Sequence, residues 1–284
     1  MIQTKINIPY WDELASIHSE VGDSSAVSFL KGKSTLHSIE DQYFKLHKGL
    51  DVLHLQCHTG LDTLSIAEYH DCNVVGVDYS SKAIDVAKEL SKNCQVPAEF
   101  ICSDIYDLNL GPLTNRQFDV IYTSYGVLMW LNNLDSWAQL IYQFLRPGGD
   151  LLLIEEHPFA AMLKTDQDNN FALGYPYSSH QSHYVTNNLT SYSGLGKRLE
   201  NTEQYKWAHS FEEIISSLLK NDLEIVKLKE YKYCFYKIFT QMEQNVDKWW
   251  HLNDNEHGLP LMFSLRAKKK ERYNLSIPSK NVII

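Results

Sequence analysis

The sequence predicts an α/β fold, a doubly wound and mainly parallel sheet carrying one inserted segment of antiparallel hairpins. Three observations lead there. Short apolar runs near 52–55, 73–78, 98–103 and 118–123 alternate with helical stripes, the rhythm of strand and crossover helix that a parallel sheet requires. The run VLHLQCHTG at 52–60 passes from an apolar strand through a tight turn into a helix, and NVVGVD then reaches Asp78 about 20 positions later, the layout of a nucleotide-binding βαβ unit. From His157 to about His209 the rhythm breaks into sequence rich in Tyr, Asn, Ser and His with alternating patches such as SHYVT and LTSYS, too long for a structureless loop.

Each element has a local cause. In residues 1–48, Tyr10, Trp11 and Leu14 fall at near-helical spacing and predict a short amphipathic helix over the ligand. Val52, Leu53 and Leu55 suit a buried parallel strand, and Gly60 allows a sharp bend into the next helix, whose face is Leu61, Leu64 and Ala67. Ala83, Val86, Ala87 and Leu90 make the next stripe, behind Ser80 or Ser81 as cap. Leu134, Trp137, Ala138, Ile141, Phe144 and Leu145 form the clearest stripe, with Pro147-Gly148-Gly149 expected to end it and LLLIE to follow as a central strand. Ser210 with Glu213 makes a capping box before Phe211, Ile214, Ile215 and Leu218, and strands near 223–230 and 260–267 complete a sheet of seven. The expected organisation is a helical cap at 1–48, an α/β core at 49–156, an inserted subdomain at 157–209, completion of the core at 210–270 and a tail at 271–284.

Composition narrows the partners. The 284 residues include 26 Lys and Arg against 35 Asp and Glu, and a net charge of −9 without a large basic face disfavours a nucleic-acid backbone. With no apolar run of membrane-spanning length and no signal-peptide pattern, no membrane association and a cytoplasmic location are expected. Cys57, Cys72, Cys94, Cys102 and Cys234 are odd in number and form no C-x-x-C pair, so they read as reduced thiols with no metal centre. Cys57 reads as a small residue fitted into the turn. The run Lys268, Lys269, Lys270 and Arg272 reads as a solvated strand end.

Asp78, at the end of the second strand, is placed to accept from two adjacent ribose hydroxyls. In order, VLHLQCHTG, FICSD, FDVIYTSYGVL and LRPGGDLLLIEEH resemble the first, third-strand, fourth-strand and fifth-strand motifs of class I S-adenosylmethionine-dependent methyltransferases, and the similarity of order runs through about residue 156. The resemblance implies a Rossmann-like seven-stranded sheet whose last strand is antiparallel, S-adenosylmethionine as cofactor, and Asp104 facing the adenine amino group with Ile105 over one face. Its motifs also bring Cys57, Thr59, Gly60, Tyr79, Thr123 and Tyr125 to the cofactor. Where the family has Asp, Gly and Gly, this chain has His54, Gln56 and His58, so the Gln56 amide or the His54 imidazole is the expected replacement hold on the methionine end.

Methyl transfer is an in-line displacement in which the protein chiefly aligns donor and nucleophile. A hydroxyl or ammonium acceptor must also lose a proton, and Glu156 and His157, following the fifth strand, are the expected pair for it. His54 competes for that role while its strand position favours holding cofactor. Tyr125 and Trp130 are expected against the sulfonium or an apolar acceptor, with core packing as the alternative for Trp130. Tyr175, Tyr177, Tyr184, Trp207 and His209 are expected to line an acceptor pocket; surface hairpin packing or a subunit interface, as in a homodimer, explains them as well. The expected activity is methyl transfer to a small molecule. The alternatives are a non-catalytic S-adenosylmethionine-binding protein, a nucleic-acid methyltransferase, which would show N/D-P-P-Y/F/W where TSYG stands, and a nicotinamide dehydrogenase, which would show G-x-G-x-x-G in the first turn.

Overall fold

A computed structural model describes residues 4–20, 24–111, 113–166, 168, 170–180, 182–190 and 197–270. The expected tail and Arg272 lie outside the described residues. Seven strands form the main sheet: β1 (Asp51–Leu55), β2 (Asn73–Asp78), β3 (Glu99–Cys102), β4 (Phe118–Ser124), β5 (Leu145–Glu156), β10 (Leu223–Tyr231) and β14 (Met262–Lys269), in the order β10-β14-β5-β4-β1-β2-β3. β1 through β5 pair in parallel, while β14 runs antiparallel to both β5 and β10. Side-chain alternation divides the core: Leu53, Leu55, Ile121, Leu151 and Leu153 face α6 (Leu134–Phe144) and α8 (Phe211–Lys220), while Val52, Val120, Leu152 and Ile154 face α3 (Ser38–Lys45) and α4 (Leu61–His70).

The helix caps are made locally. Ser80 rather than Ser81 caps α5 (Ser81–Cys94), its Oγ accepting from the Ala83 N–H at 3.1 Å. On α8, Ser210 Oγ accepts from Glu213 N–H and Glu213 Oε2 from Ser210 N–H, a closed capping box. Gly60 precedes α4 at φ +75°, and a Cβ there would stand 2.6 Å from the Phe100 ring. Gly60→Ala is therefore expected to cost about 2–4 kcal/mol, combining left-handed strain with overpacking, read as a lowered urea midpoint with unchanged slope.

Two expectations are corrected. Pro147-Gly148-Gly149 does not end the helix; α6 stops at Phe144 and the three residues lie inside β5 as a bulge, since Phe118 pairs with Leu145 but Val120 with Asp150. Arg146 fixes that bulge by 2.6 Å ion pairs to both Asp51 and Asp119. Within the basic run, Lys269 is buried and donates to the carbonyls of Tyr142 and Leu145, satisfying the end of α6.

The inserted segment carries α7 (Pro158–Ala161) and two antiparallel hairpins, β6 (Leu163–Thr165) with β7 (Phe171–Leu173) and β8 (Tyr184–Asn187) with β9 (Glu203–Lys206). A second excursion, absent from the sequence reading, lies between β10 and β14: a small sheet of β11 (Tyr233–Cys234), β12 (Met242–Gln244) and β13 (Trp250–Leu252). The N-terminal region supplies α1 (Ile8–Glu20), α2 (Ser24–Leu30) and α3. Helix α1 and the turn before it bridge core and insertion: Asp12 accepts from Ser80 Oγ, Glu13 accepts from the Glu200 and Asn201 N–H groups, and Asn7, just before α1, exchanges two hydrogen bonds with the Tyr205 backbone.

Candidate active site

A cavity of about 230 Å³ opens at the carboxyl ends of β1, β2 and β4 and the turn after β3. His54, Gln56, Cys57, Asp78, Tyr79, Asp104, Ile105 and Tyr125 line it, and Trp11 from α1 and Trp130 stand beside them. Of the remaining cofactor expectations, Thr59, Gly60 and Thr123 are buried behind this wall rather than on it; Ser124 reaches the surface where Thr123 was expected.

The first turn is unusual in its backbone. Gln56 and His58 adopt φ +55° and +48°, the left-handed region that glycine enters freely and that costs other residues roughly 1–2 kcal/mol each. Strain of this kind persists where the surroundings enforce it. Gln56 Nε2 donates to the Val127 carbonyl at 3.1 Å, tying the β1 turn to the loop after β4, while its buried Oε1 has no partner. The His58 ring packs edge-on against Trp11 and His18; burial pushes it down to about 3, so it is neutral, and its buried Nε2 is unpartnered.

Asp78 is placed by the backbone: Oδ2 accepts from His58 N–H at 2.8 Å and Oδ1 from Ser80 N–H at 2.9 Å. Burial pushes its carboxyl up to about 6, against the lowering effect of those donors. His54 shares a 2.8 Å hydrogen bond between Nδ1 and Thr63 Oγ1, and burial pushes it down to about 3, which makes it neutral. Burial holds the Cys57 thiol protonated, consistent with a packing role. Asp104 accepts from Tyr106 N–H at 3.1 Å and caps the turn that follows β3. Tyr125, also at positive φ, donates through its hydroxyl to Glu40 at 2.6 Å; burial pushes the Glu40 carboxyl up to about 8.

A second, smaller cavity of about 40 Å³ lies under the insertion. Here Glu156, Tyr177, Tyr184, Trp207 and His209 come together, with Glu155 alongside. Glu156 Oε2 accepts from the Tyr236 hydroxyl at 2.8 Å, and burial pushes its carboxyl upward. Glu155, also pushed up by burial, to about 7, accepts from the N–H groups of Val127, Leu128 and Glu156 and so holds the loop that separates the two cavities. Trp130 faces the first cavity, with Lys206 Nζ 5.4 Å above its ring, and Trp207 N–H donates to the Met129 carbonyl. Tyr175 is exposed and meets only the edge of this group, 5.7 Å from Tyr184 ring to ring.

His157 does not join either cavity. Its Nδ1 accepts from Phe159 N–H to cap α7, its Nε2 lies 2.9 Å from Glu230 Oε1, and its ring stacks on Phe211. The side chain after β5 points back to the sheet edge, which corrects the expected pairing with Glu156. Missed by the sequence reading were Glu40, Asp62 and Glu155. Glu155 had a signal as the neighbour of Glu156 at the carboxyl end of β5, and Asp62 had one in standing two residues past Gly60, whereas Glu40 reaches Tyr125 only through the folding of a distant segment.

The first cavity fits an S-adenosyl ligand. It presents two carboxylates at strand ends for ribose and adenine donors, an apolar face at Ile105, and the unpartnered Gln56 Oε1 and Tyr79 hydroxyl on its wall. Residues 52–149 match the family model described as methyltransferase domain. A Haemophilus influenzae protein described as uncharacterized is 26% identical over 79% of this chain and 83% of its own length. Phosphoethanolamine N-methyltransferase 1 of Zea mays is 31% identical over 38% of this chain, which spans only 21% of that enzyme. Among solved structures, one of a putative S-adenosylmethionine-dependent methyltransferase from Listeria monocytogenes has a TM-score of 0.56 at 20% identity, covering 82% of this chain and 97% of that one, a likeness of fold. Residues 52–149 carry a methyltransferase domain, in a fold shared with S-adenosylmethionine-dependent methyltransferases. S-adenosylmethionine is its cofactor.

Proposed function

We propose that the protein methylates a small molecule in the cytoplasm, with the acceptor seated between Trp130 and the inserted hairpins. One observation carries this reading: the cavity with Asp78 and Asp104 adjoins, across Met129 and Trp130, an aromatic cavity floored by the buried Glu156 and roofed by the insertion. The bound cofactor supplies an electrophilic methyl group on a sulfonium. Asp78 accepts from the ribose hydroxyls, Asp104 from the adenine amine, and Ile105 covers the adenine face. Tyr125 and Trp130 offer aromatic faces to positive charge or to the acceptor. Glu156, its carboxyl raised by burial, takes the proton of a hydroxyl or ammonium acceptor, with Tyr236 donating to Oε2 to hold its orientation. The net charge of −9 supports a small molecule over nucleic acid, and five free cysteines suit a reducing compartment. Among the described residues no helix is long and apolar enough to cross a membrane.

The test is a metabolite extract incubated with protein and cofactor labelled in the methyl group. Label in the small-molecule fraction is expected; label only in nucleic acid or protein, or none despite bound cofactor, overturns the reading. For the adenine contact, Asp104→Asn is expected to lower affinity for S-adenosylhomocysteine about tenfold, since an amide presents a donor toward the adenine amine. Full affinity in calorimetry would remove Asp104 from the site.

A further inference from the structure

The cavity is acidic at three points, and two of its carboxylates are accounted for. Asp78 and Asp104 stand at the ends of β2 and β3, each accepting backbone N–H groups, in line with ribose and adenine. The third is Asp62, on the first turn of α4, at the β1 end of the cavity. No Lys or Arg lines this space among the described residues. His54, where the resembled motif has an acidic residue, is neutral and hydrogen-bonded to Thr63, so it offers no negative charge to a cation.

We propose that Asp62, together with Gln56 Oε1, receives the α-ammonium of the cofactor's amino-acid end. This rests on S-adenosylmethionine as the ligand of the cavity. Gln56 Oε1 is a buried acceptor without a partner on the same wall, held in place because the amide's Nε2 is committed to the Val127 carbonyl. Thr35, from the segment before α3, orients Asp62 by donating to Oδ1 at 2.6 Å, and Thr35 is itself anchored by its N–H on Ser65 Oγ at 3.0 Å. The left-handed backbone at Gln56 is the conformation that brings a side-chain amide, rather than glycine backbone, to this end of the cavity. An ammonium placed between a carboxylate and an amide oxygen gains charge-assisted hydrogen bonds that a neutral ligand end does not.

Calorimetry with two ligands separates this role from a structural one. S-adenosylhomocysteine carries the amino-acid end, and methylthioadenosine has the same adenosine and thioether without it. Asp62→Asn retains an oxygen for Thr35 and is expected to weaken S-adenosylhomocysteine about tenfold or more while leaving methylthioadenosine within about twofold. A folded Asp62→Asn protein with an unchanged ratio of the two affinities overturns the proposal. Should that variant not fold, Thr35→Val, which leaves the carboxylate and removes the hydroxyl that orients it, is expected to lower the same ratio several-fold, and an unchanged ratio again counts against Asp62. Wild-type protein that binds neither ligand would overturn the cofactor assignment itself and this proposal with it.

Discussion

Asp78→Ala is expected to lower affinity for S-adenosylhomocysteine by about a hundredfold. Two charge-assisted hydrogen bonds to ribose are lost, each worth roughly 1.5–3 kcal/mol. The same carboxylate accepts from the His58 and Ser80 N–H groups, so its removal also takes away one tie between the first turn and the end of β2, leaving the Cys57 N–H bonded to the Val77 carbonyl. The variant should nonetheless fold, because the β1–β2 ladder and the apolar faces of the sheet do not depend on Asp78. Unchanged affinity in a folded Asp78→Ala protein would sink the ribose assignment.

The raised carboxyl of Asp78 adds a pH signature. Ribose hydroxyls donate best to the ionised form, so wild-type affinity should fall as pH drops through about 6. Stability of the free protein moves the other way from this group. Because its folded value lies above the ordinary 3.8, the folded state binds the proton more tightly, and the contribution of Asp78 to stability is largest below that value and is lost as pH rises through about 6. Calorimetric titrations at pH 5 to 8, compared between wild type and Asp78→Ala, read the difference directly.

The second large effect concerns the insertion. Replacing residues 165–200 by a short Gly/Ser linker is expected to keep cofactor affinity within a few fold and to abolish turnover of the natural acceptor. Every residue lining the first cavity lies outside 165–200, and the Asn7–Tyr205 bonds that hold the turn before α1 against β9 survive the replacement. The second cavity loses Tyr177 and Tyr184, and Glu156 then faces water rather than an enclosed wall. A displacement at a sulfonium gains from a closed site in which donor and acceptor stay aligned. Full acceptor turnover by the shortened protein would show the insertion to be an interface or a structural addition.

The sequence by itself determined the sheet, because its signals are local. The apolar runs and capped helical stripes read from the chain correspond to strands and helices of the structure, and the Ser210–Glu213 box forms between residues three apart. The position of Asp78 and Asp104 on one cavity wall was legible for the same reason: Asp78 ends β2, Asp104 follows β3 by two residues, and strand ends in a parallel sheet share one edge. What the chain alone did not disclose depends on segments far apart in sequence meeting in space. The direction of His157 was decided by Glu230 and Phe211, more than 50 residues away. The Pro147-Gly148-Gly149 signal pointed to a helix stop, and Arg146, pairing with Asp51 and Asp119 of two other strands, made it a bulge. Lys269 looked like surface charge until the open carbonyls at the end of α6 gave it a buried partner. Glu40, invisible as a motif residue, was brought by α3 to the hydroxyl of Tyr125, 85 residues away. Burial and hydrogen bonding are properties of the assembled environment, so the groups that set the charge of this site could be recognised only once the tertiary structure had put them side by side.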